Sequence, residues 1–277
     1  NFFNNWWWLD SKMKITIILS LVFFQYVNLH AVEFNGKFKQ GSFIIGKTEP
    51  GNKITIDKTK IRVSKKGYFA FGLGRDRKNN VLITINNNGK KEIIEKKVIK
   101  REYKIQRIDG LPKKQVTPPK EVYDRIKNDN VLIGKARSIN SDLNFFKNKF
   151  IRPVDKAIIT GVYGSQRILN GKPRRPHYGL DFAANEGTPV KAMLSGVVTL
   201  AEKDLNFTGG TIILDHGHGI STLYMHLKNV GVEVGKEIQK GETIGGLGKT
   251  GRATGPHLDI RLNWFNVKLD PMTVLKK

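Results

Sequence analysis

Three short stretches of the chain hold histidines and carboxylates in arrangements that could bind a metal and hydrolyse a bond. RRPHYGLDFAA, residues 174–184, carries His177 and Asp181; STLYMHL, residues 221–227, carries His226; and GPHLDIRLNW, residues 255–264, carries His257 and Asp259. From His257 onward polar and apolar residues alternate, which predicts a strand with His257, Asp259, Arg261 and Asn263 on one face. The same alternation predicts that Thr222, Tyr224 and His226 share a face. Pro176 and Gly179 predict a strand-and-loop setting for His177 and Asp181 rather than a helix face.

Each stretch alone is ordinary, since a histidine on a solvated strand face needs no special role. Together they supply enough nitrogen and oxygen donors for a hydrolytic zinc site, which takes three protein ligands and leaves a position for water. Further histidines could then orient that water or take its proton. The chain has no cysteine and no serine elbow, which removes thiolate ligands and the usual covalent mechanisms. A second histidine pair, His216 and His218 in DHGHG, reads either as another metal site or as a hairpin turn closed by its glycines.

The elements that must position these groups are β-strands. Residues 151–277 form glycine-punctuated β segments, and five of the six histidines fall there. Residues 32–105 read as seven short strands separated by turn formers such as EPGN and NNNGK, which predicts an immunoglobulin-like β-sandwich. Between them, residues 106–150 read as a proline-bearing linker followed by a helix from Pro119 to about Lys149. The whole is expected to be mainly β.

Forty-eight Lys and Arg against 24 Asp and Glu leave a net charge of +24. That balance suits an anionic wall polymer or membrane face, or else reflects codon bias, because Lys, Asn and Ile are abundant together. No aromatic-plus-basic nucleic-acid motif accompanies it, so no nucleic-acid partner is expected. Residues 13–31, MKITIILSLVFFQYVNLHA, have the form of a secretory signal, and residues 1–12 read as upstream sequence. A periplasmic or envelope location follows, with membrane attachment only if the signal stays uncleaved.

PHYGLD, the run from Gly187 to Val197, LYMHL and GPHLD, in this order, resemble the lysostaphin-type (LytM-type) zinc endopeptidases, which cut peptide cross-links of bacterial peptidoglycan. The resemblance covers about residues 151–271, and the front half is similar to that of a secreted branch of the family. It implies a two-layer antiparallel β-structure with a groove (the duplicated hybrid motif type), one zinc ion per chain and peptidoglycan as substrate, with cell-division or wall-hydrolase proteins as further partners. It also implies that His177 and Asp181 are metal ligands and that His226 and His257 are catalytic. The family's third ligand is the second histidine of H-x-H, and here that position is Asp259.

Two aspartates and one histidine make a harder, more negative site, in which Mn²⁺ competes better with zinc. Either the site is a working variant, or the domain is an inactive regulator that binds peptidoglycan and activates another wall hydrolase. Arg261, on the same strand face, could pair with Asp259 and draw it away from a metal.

Overall fold

The computed structural model describes residues 32–110 and 119–275. The expected signal and upstream residues, and most of the proline-bearing part of the linker, lie outside the described residues. The described residues from Glu33 onward form one compact unit.

The front part matches the turn-punctuated pattern strand for strand. It contains β1 (Glu33–Asn35), β2 (Phe43–Lys47), β3 (Lys53–Ile56), β4 (Thr59–Ile61), β5 (Tyr68–Gly72), β6 (Val81–Asn87) and β7 (Lys90–Lys96). They fall into two antiparallel sheets, β1-β2-β5 and β4-β3-β6-β7. Burial alternates along β3 and β6, with Ile54, Ile83 and Ile85 inside, whereas β5 is buried from Phe69 to Gly72 and packs with Ile44 of β2 in the interior. A short strand, β8 (Ile105–Ile108), follows.

The connecting helix, α1, spans Tyr123–Arg137. It ends well before Lys149, because Ser138, Asn140, Ser141 and Asp142 follow, residues whose side chains compete for backbone hydrogen bonds. Ile133 and Ala136 on its inner face join Leu200, Leu205, Ile213, Leu223 and Met225 in one buried cluster. The helix is therefore a lid on the core of the second half.

That half contains β9 (Ile158–Gly161), β10 (Gln166–Leu169), β11 (Lys172–Pro173), β12 (Leu180–Ala183), β13 (Pro189–Lys191), β14 (Gly196–Leu205) and β15 (Gly209–Gly217). It continues with β16 (Ile220–Val230), β17 (Glu237–Ile238), β18 (Thr243–Leu247), β19 (His257–Trp264) and β20 (Val267–Leu269). Ten of these strands make one sheet, with the path β17-β14-β15-β16-β19-β12-β9 and with β13, β18 and β20 at its side. β10 and β11 form a small sheet with β8, which pairs parallel to β10 and so ties the front of the chain to the back.

The front also packs directly on the β19–β20 hairpin. Phe71 and Trp264 meet edge to face with ring centres 6.5 Å apart. Arg101 pairs with Asp270 at 2.6 Å. Strand β19 is thus held on every side: β16 and β12 flank it, and β20 and the front sheet cover one end.

Candidate metal centre

β19 places its histidine and carboxylate as the alternation predicts, and β12 supplies the complement. Asp181 on β12 is the direct cross-strand partner of Asp259 on β19. Partners of this kind point to the same face with Cβ atoms about 5 Å apart, and like charges so placed repel. His177, three residues before β12, completes the group: its Nε2 lies 3.1 Å from Asp181 Oδ1 and 3.4 Å from Asp259 Oδ2. One donor atom from each of the three lies within 4.8 Å of the others, and all three residues are buried.

The backbone makes room for the carboxylates. A Cβ on Gly179 would stand 1.8 Å from Asp259 Oδ1, and one on Gly161 2.1 Å from Asp181 Oδ2. Both acids therefore lie flat against glycine backbone, a close approach that no side chain would allow.

Two arginines compensate the charge. Arg261 donates to both oxygens of Asp259, at 3.0 and 3.4 Å, and Arg167 stands 3.6 Å from Asp181. Burial works against ionisation of Asp259, but Arg261 and then His177 outweigh it and hold its carboxyl well below the usual range. Burial also favours a neutral His177 ring, yet hydrogen bonds to Asp181 and Asp259 prevail and raise its pKa to about 9. In the metal-free chain the three groups thus form a protonated imidazole between two carboxylates. A divalent cation replaces that proton with no change of ligand atoms. Two carboxylate oxygens and one imidazole nitrogen, converging and shielded from water, fit such an ion.

His226 reaches this centre by a route that simple alternation does not allow. Tyr224 pairs with Ile260 and Met225 with Asp259, so Thr222 and Tyr224 lie on the face opposite the carboxylates. Continued alternation would have put His226 there too. Instead the β15–β16 register shifts between Gly210 and Ile212, leaving an extra residue on β16, and His226 itself has φ 64°. Here β16 leaves β19 and continues beside β18. The bulge turns the ring toward His257, with ring centres 4.8 Å apart. The expectation that His226 shares a face with Thr222 and Tyr224 is therefore corrected.

Both rings are tautomerically fixed. His226 Nδ1 lies 2.8 Å from the Thr250 carbonyl and His257 Nδ1 2.8 Å from the Gly255 carbonyl. A carbonyl only accepts, so each Nδ1 carries hydrogen and Nε2 is the nitrogen left to accept. Burial pushes the His226 pKa down to about 4, so that ring is neutral at pH 7.

The second histidine pair is structural. His216 is bonded at both nitrogens, to the Ser195 carbonyl and the Thr222 hydroxyl, each at 2.8 Å. His218 packs on Phe146 with ring centres 4.5 Å apart and bonds the Arg62 carbonyl at 3.1 Å. Residues that sequence reasoning did not find include Arg167, Gly161 and the Thr250 carbonyl. They come from segments distant in the chain and carry no motif of their own.

Residues 175–271 match the model of Peptidase family M23. That segment is similar to an M23 peptidase domain. All five site residues lie within the matched segment. Over 100 residues the chain is 38% identical to the DD-carboxypeptidase/endopeptidase Mpg of Neisseria meningitidis serogroup B, covering 36% of this chain and 23% of that protein. Over 106 residues it is 42% identical to lysostaphin of Staphylococcus staphylolyticus, covering 36% of this chain and 22% of lysostaphin. The chain thus spans less than a quarter of the length of either relative.

A solved structure from Pseudomonas aeruginosa assigned to peptidase M23 superposes with a TM-score of 0.67 at 24% identity. It covers 86% of this chain and 95% of that one. The shared fold therefore extends beyond the matched segment into the front sheets.

Proposed function

We propose that the chain is a zinc-dependent endopeptidase that hydrolyses peptide cross-links of bacterial peptidoglycan, acting in the cell envelope. The observation that carries this reading is the buried convergence of His177, Asp181 and Asp259 beside two histidines with fixed tautomers. His177, Asp181 and Asp259 would hold one zinc ion, which supplies an acidified water and polarises the scissile carbonyl. His226 and His257 would then accept or steer the proton of the attacking water through Nε2, since each Nδ1 is engaged by a backbone carbonyl. Their Nδ1 bonds keep the rings from turning, so no reorientation is needed as charge develops.

Arg261 does not remove Asp259 from the group, since Asp259 Oδ2 remains 3.4 Å from His177 while it accepts from Arg261. This favours a working variant over an inactive regulator. The names of the relatives, a DD-carboxypeptidase/endopeptidase and lysostaphin, support a wall peptide as substrate. Export through residues 13–31 would place the enzyme beside it.

The test is zinc content and release of soluble peptides from purified peptidoglycan by residues 32–277, beside His226→Ala and Asp259→Ala. We expect near-stoichiometric zinc and peptide release in the parent, loss of release in the first variant, and loss of zinc in the second. A metal-free parent that binds peptidoglycan without cutting it would overturn the reading in favour of a regulator.

A further inference from the structure

A cavity of about 370 Å³ opens where the turn after β5, the segment leading to His177 and the β19–β20 hairpin meet. Arg75, Asp76, Arg175, Tyr178 and Lys268 are among its walls. Its charge is one-sided. Arg75 is taken up by Asp76 at 2.5 Å and by the Gly164 carbonyl at 2.8 Å, so that pair cancels. Arg175 and Lys268 remain, and no lining carboxylate other than Asp76 answers them. Burial, and then the charges of Arg137, Arg261 and Arg175, push the Lys268 pKa down to about 7.

The Lys268 amine donates to the Asn266 carbonyl at 2.9 Å, and polar groups next to it lack partners among the described residues. Lys268 sits opposite Asn263 in the β19–β20 pair. Asn263 is fully buried, and neither atom of its amide has a partner among the described residues. The Nε of Arg137 is likewise without one among them. Arg175, beside a Lys268 amine that a bound carboxylate would reprotonate, suits the cavity to a ligand with negatively charged oxygens.

The cavity also lies along the strand that bears the metal ligand. Asp259, Arg261 and Asn263 share one face of β19, and Lys268, as the direct partner of Asn263, shares it too. Four residues of strand separate Asp259 from that point, roughly 13 Å at ~3.3 Å per residue.

We propose that this cavity is a carboxylate-binding subsite for the peptide cleaved at the metal centre, with Lys268 and Arg175 as its anchors. The proposal rests on the peptidase reading and names the substrate class: an acidic peptide. An extended peptide covers about 3.3–3.6 Å per residue, so the anchored carboxylate lies about four residues from the bond that is cut. Such spacing selects internal cleavage and disfavours removal of a single terminal residue.

The experiment is competitive acetylation of the full chain at pH 7.5 with limiting acetic anhydride, with modification at each lysine read by mass spectrometry. Lys268 should react at least about tenfold faster than the exposed lysines as a group, because its amine is largely unprotonated at that pH. N-acetyl-tetra-alanine with a free carboxylate should slow Lys268 by about fivefold or more, while its C-terminal amide and inorganic phosphate should not. Arg175→Gln, a change at an exposed side chain, should abolish the protection. Equal protection by the amide, protection by phosphate alone, or none would overturn the subsite.

Peptide release from peptidoglycan, measured separately on the same preparation, keeps the two readings apart. Release without protection removes only the subsite. Protection without release overturns the peptidase reading, and with it the assignment of the cavity to a cleaved peptide.

Discussion

Asp181 and Asp259 stand directly opposite each other on neighbouring strands, with the His177 ring nitrogen between their oxygens. Two facing carboxylates destabilise a sheet unless a cation joins them. We therefore expect zinc to raise the melting temperature and a chelator to reverse the rise. At a thousandfold excess of free ion over the dissociation constant the gain is about 4 kcal/mol. Calorimetric melting with and without metal checks this, and Asp259→Ala should erase most of the shift.

Arg261 competes with the metal for Asp259, because its fork occupies both carboxylate oxygens. Arg261→Gln should tighten zinc binding, by about tenfold if one charge-assisted bond is released. The same change should destabilise the metal-free chain by about 3 kcal/mol, the usual cost of leaving a buried charge without its partner. Opposite signs for the two effects, read by zinc titration and by denaturant unfolding after chelation, are the expected outcome. Weaker zinc binding would instead make Arg261 a positioning residue.

Zinc uptake at pH 7 should release about one proton, because His177 holds one up to about pH 9 in the metal-free chain and must lose it to coordinate. Titration calorimetry in two buffers of different ionisation enthalpy measures that number. No proton release would mean that His177 is already neutral.

Acid and alkaline limbs of stability should have different owners. Burial holds His216, and likewise His218 and His226, neutral down to about pH 4, and His216 serves as the example. Its unfolded form takes up a proton near pH 6.5, so its contribution is lost as pH falls from about 6.5 to 4. The loss approaches 3 kcal/mol on an order-of-magnitude scale. His177 behaves oppositely in the metal-free chain: its raised pKa gives stability that is complete below about 6.5 and lost as pH rises through about 9. Zinc should abolish the alkaline limb and leave the acid limb from the buried histidines, as melting temperatures across pH 4 to 10 would show.

Gly179→Ala should behave as a loss of Asp259 despite its chemical mildness, since the added methyl would occupy the carboxylate's place. Weaker zinc binding, with far-ultraviolet dichroism unchanged, is the expected pair of results.

The strands of both halves were legible because polar and apolar residues alternate and because Gly, Pro and Asn mark their ends. β19 is the clearest case, with His257 and Asp259 on the face that alternation assigned them. The helix was legible as a helix but not at its end, where the competing polar run after Arg137 outweighed the distant apolar Phe146. Most instructive is His226. Its residue type and its resemblance to a family motif marked it, yet its position depends on a bulge and a left-handed backbone that no local pattern announces. Arg167 and Gly161 were illegible for a different reason: they gain meaning only from Asp181, which is remote from both in sequence and close in space.

The parallel pairing of β8 with β10 joins Gln106 to Arg167, whose guanidinium reaches both the Gln106 side chain and Asp181. The front of the chain is therefore not a detachable accessory. A protein beginning near Phe150 would present β10 as a bare edge, a template for pairing between molecules. Loss of activity in such a truncation would then report self-association as much as chemistry. A protease nick between Asp109 and Pro119 has the opposite consequence. It severs the covalent link while the hydrogen-bonded ladder persists, so the two fragments should co-elute and retain function as a complemented pair.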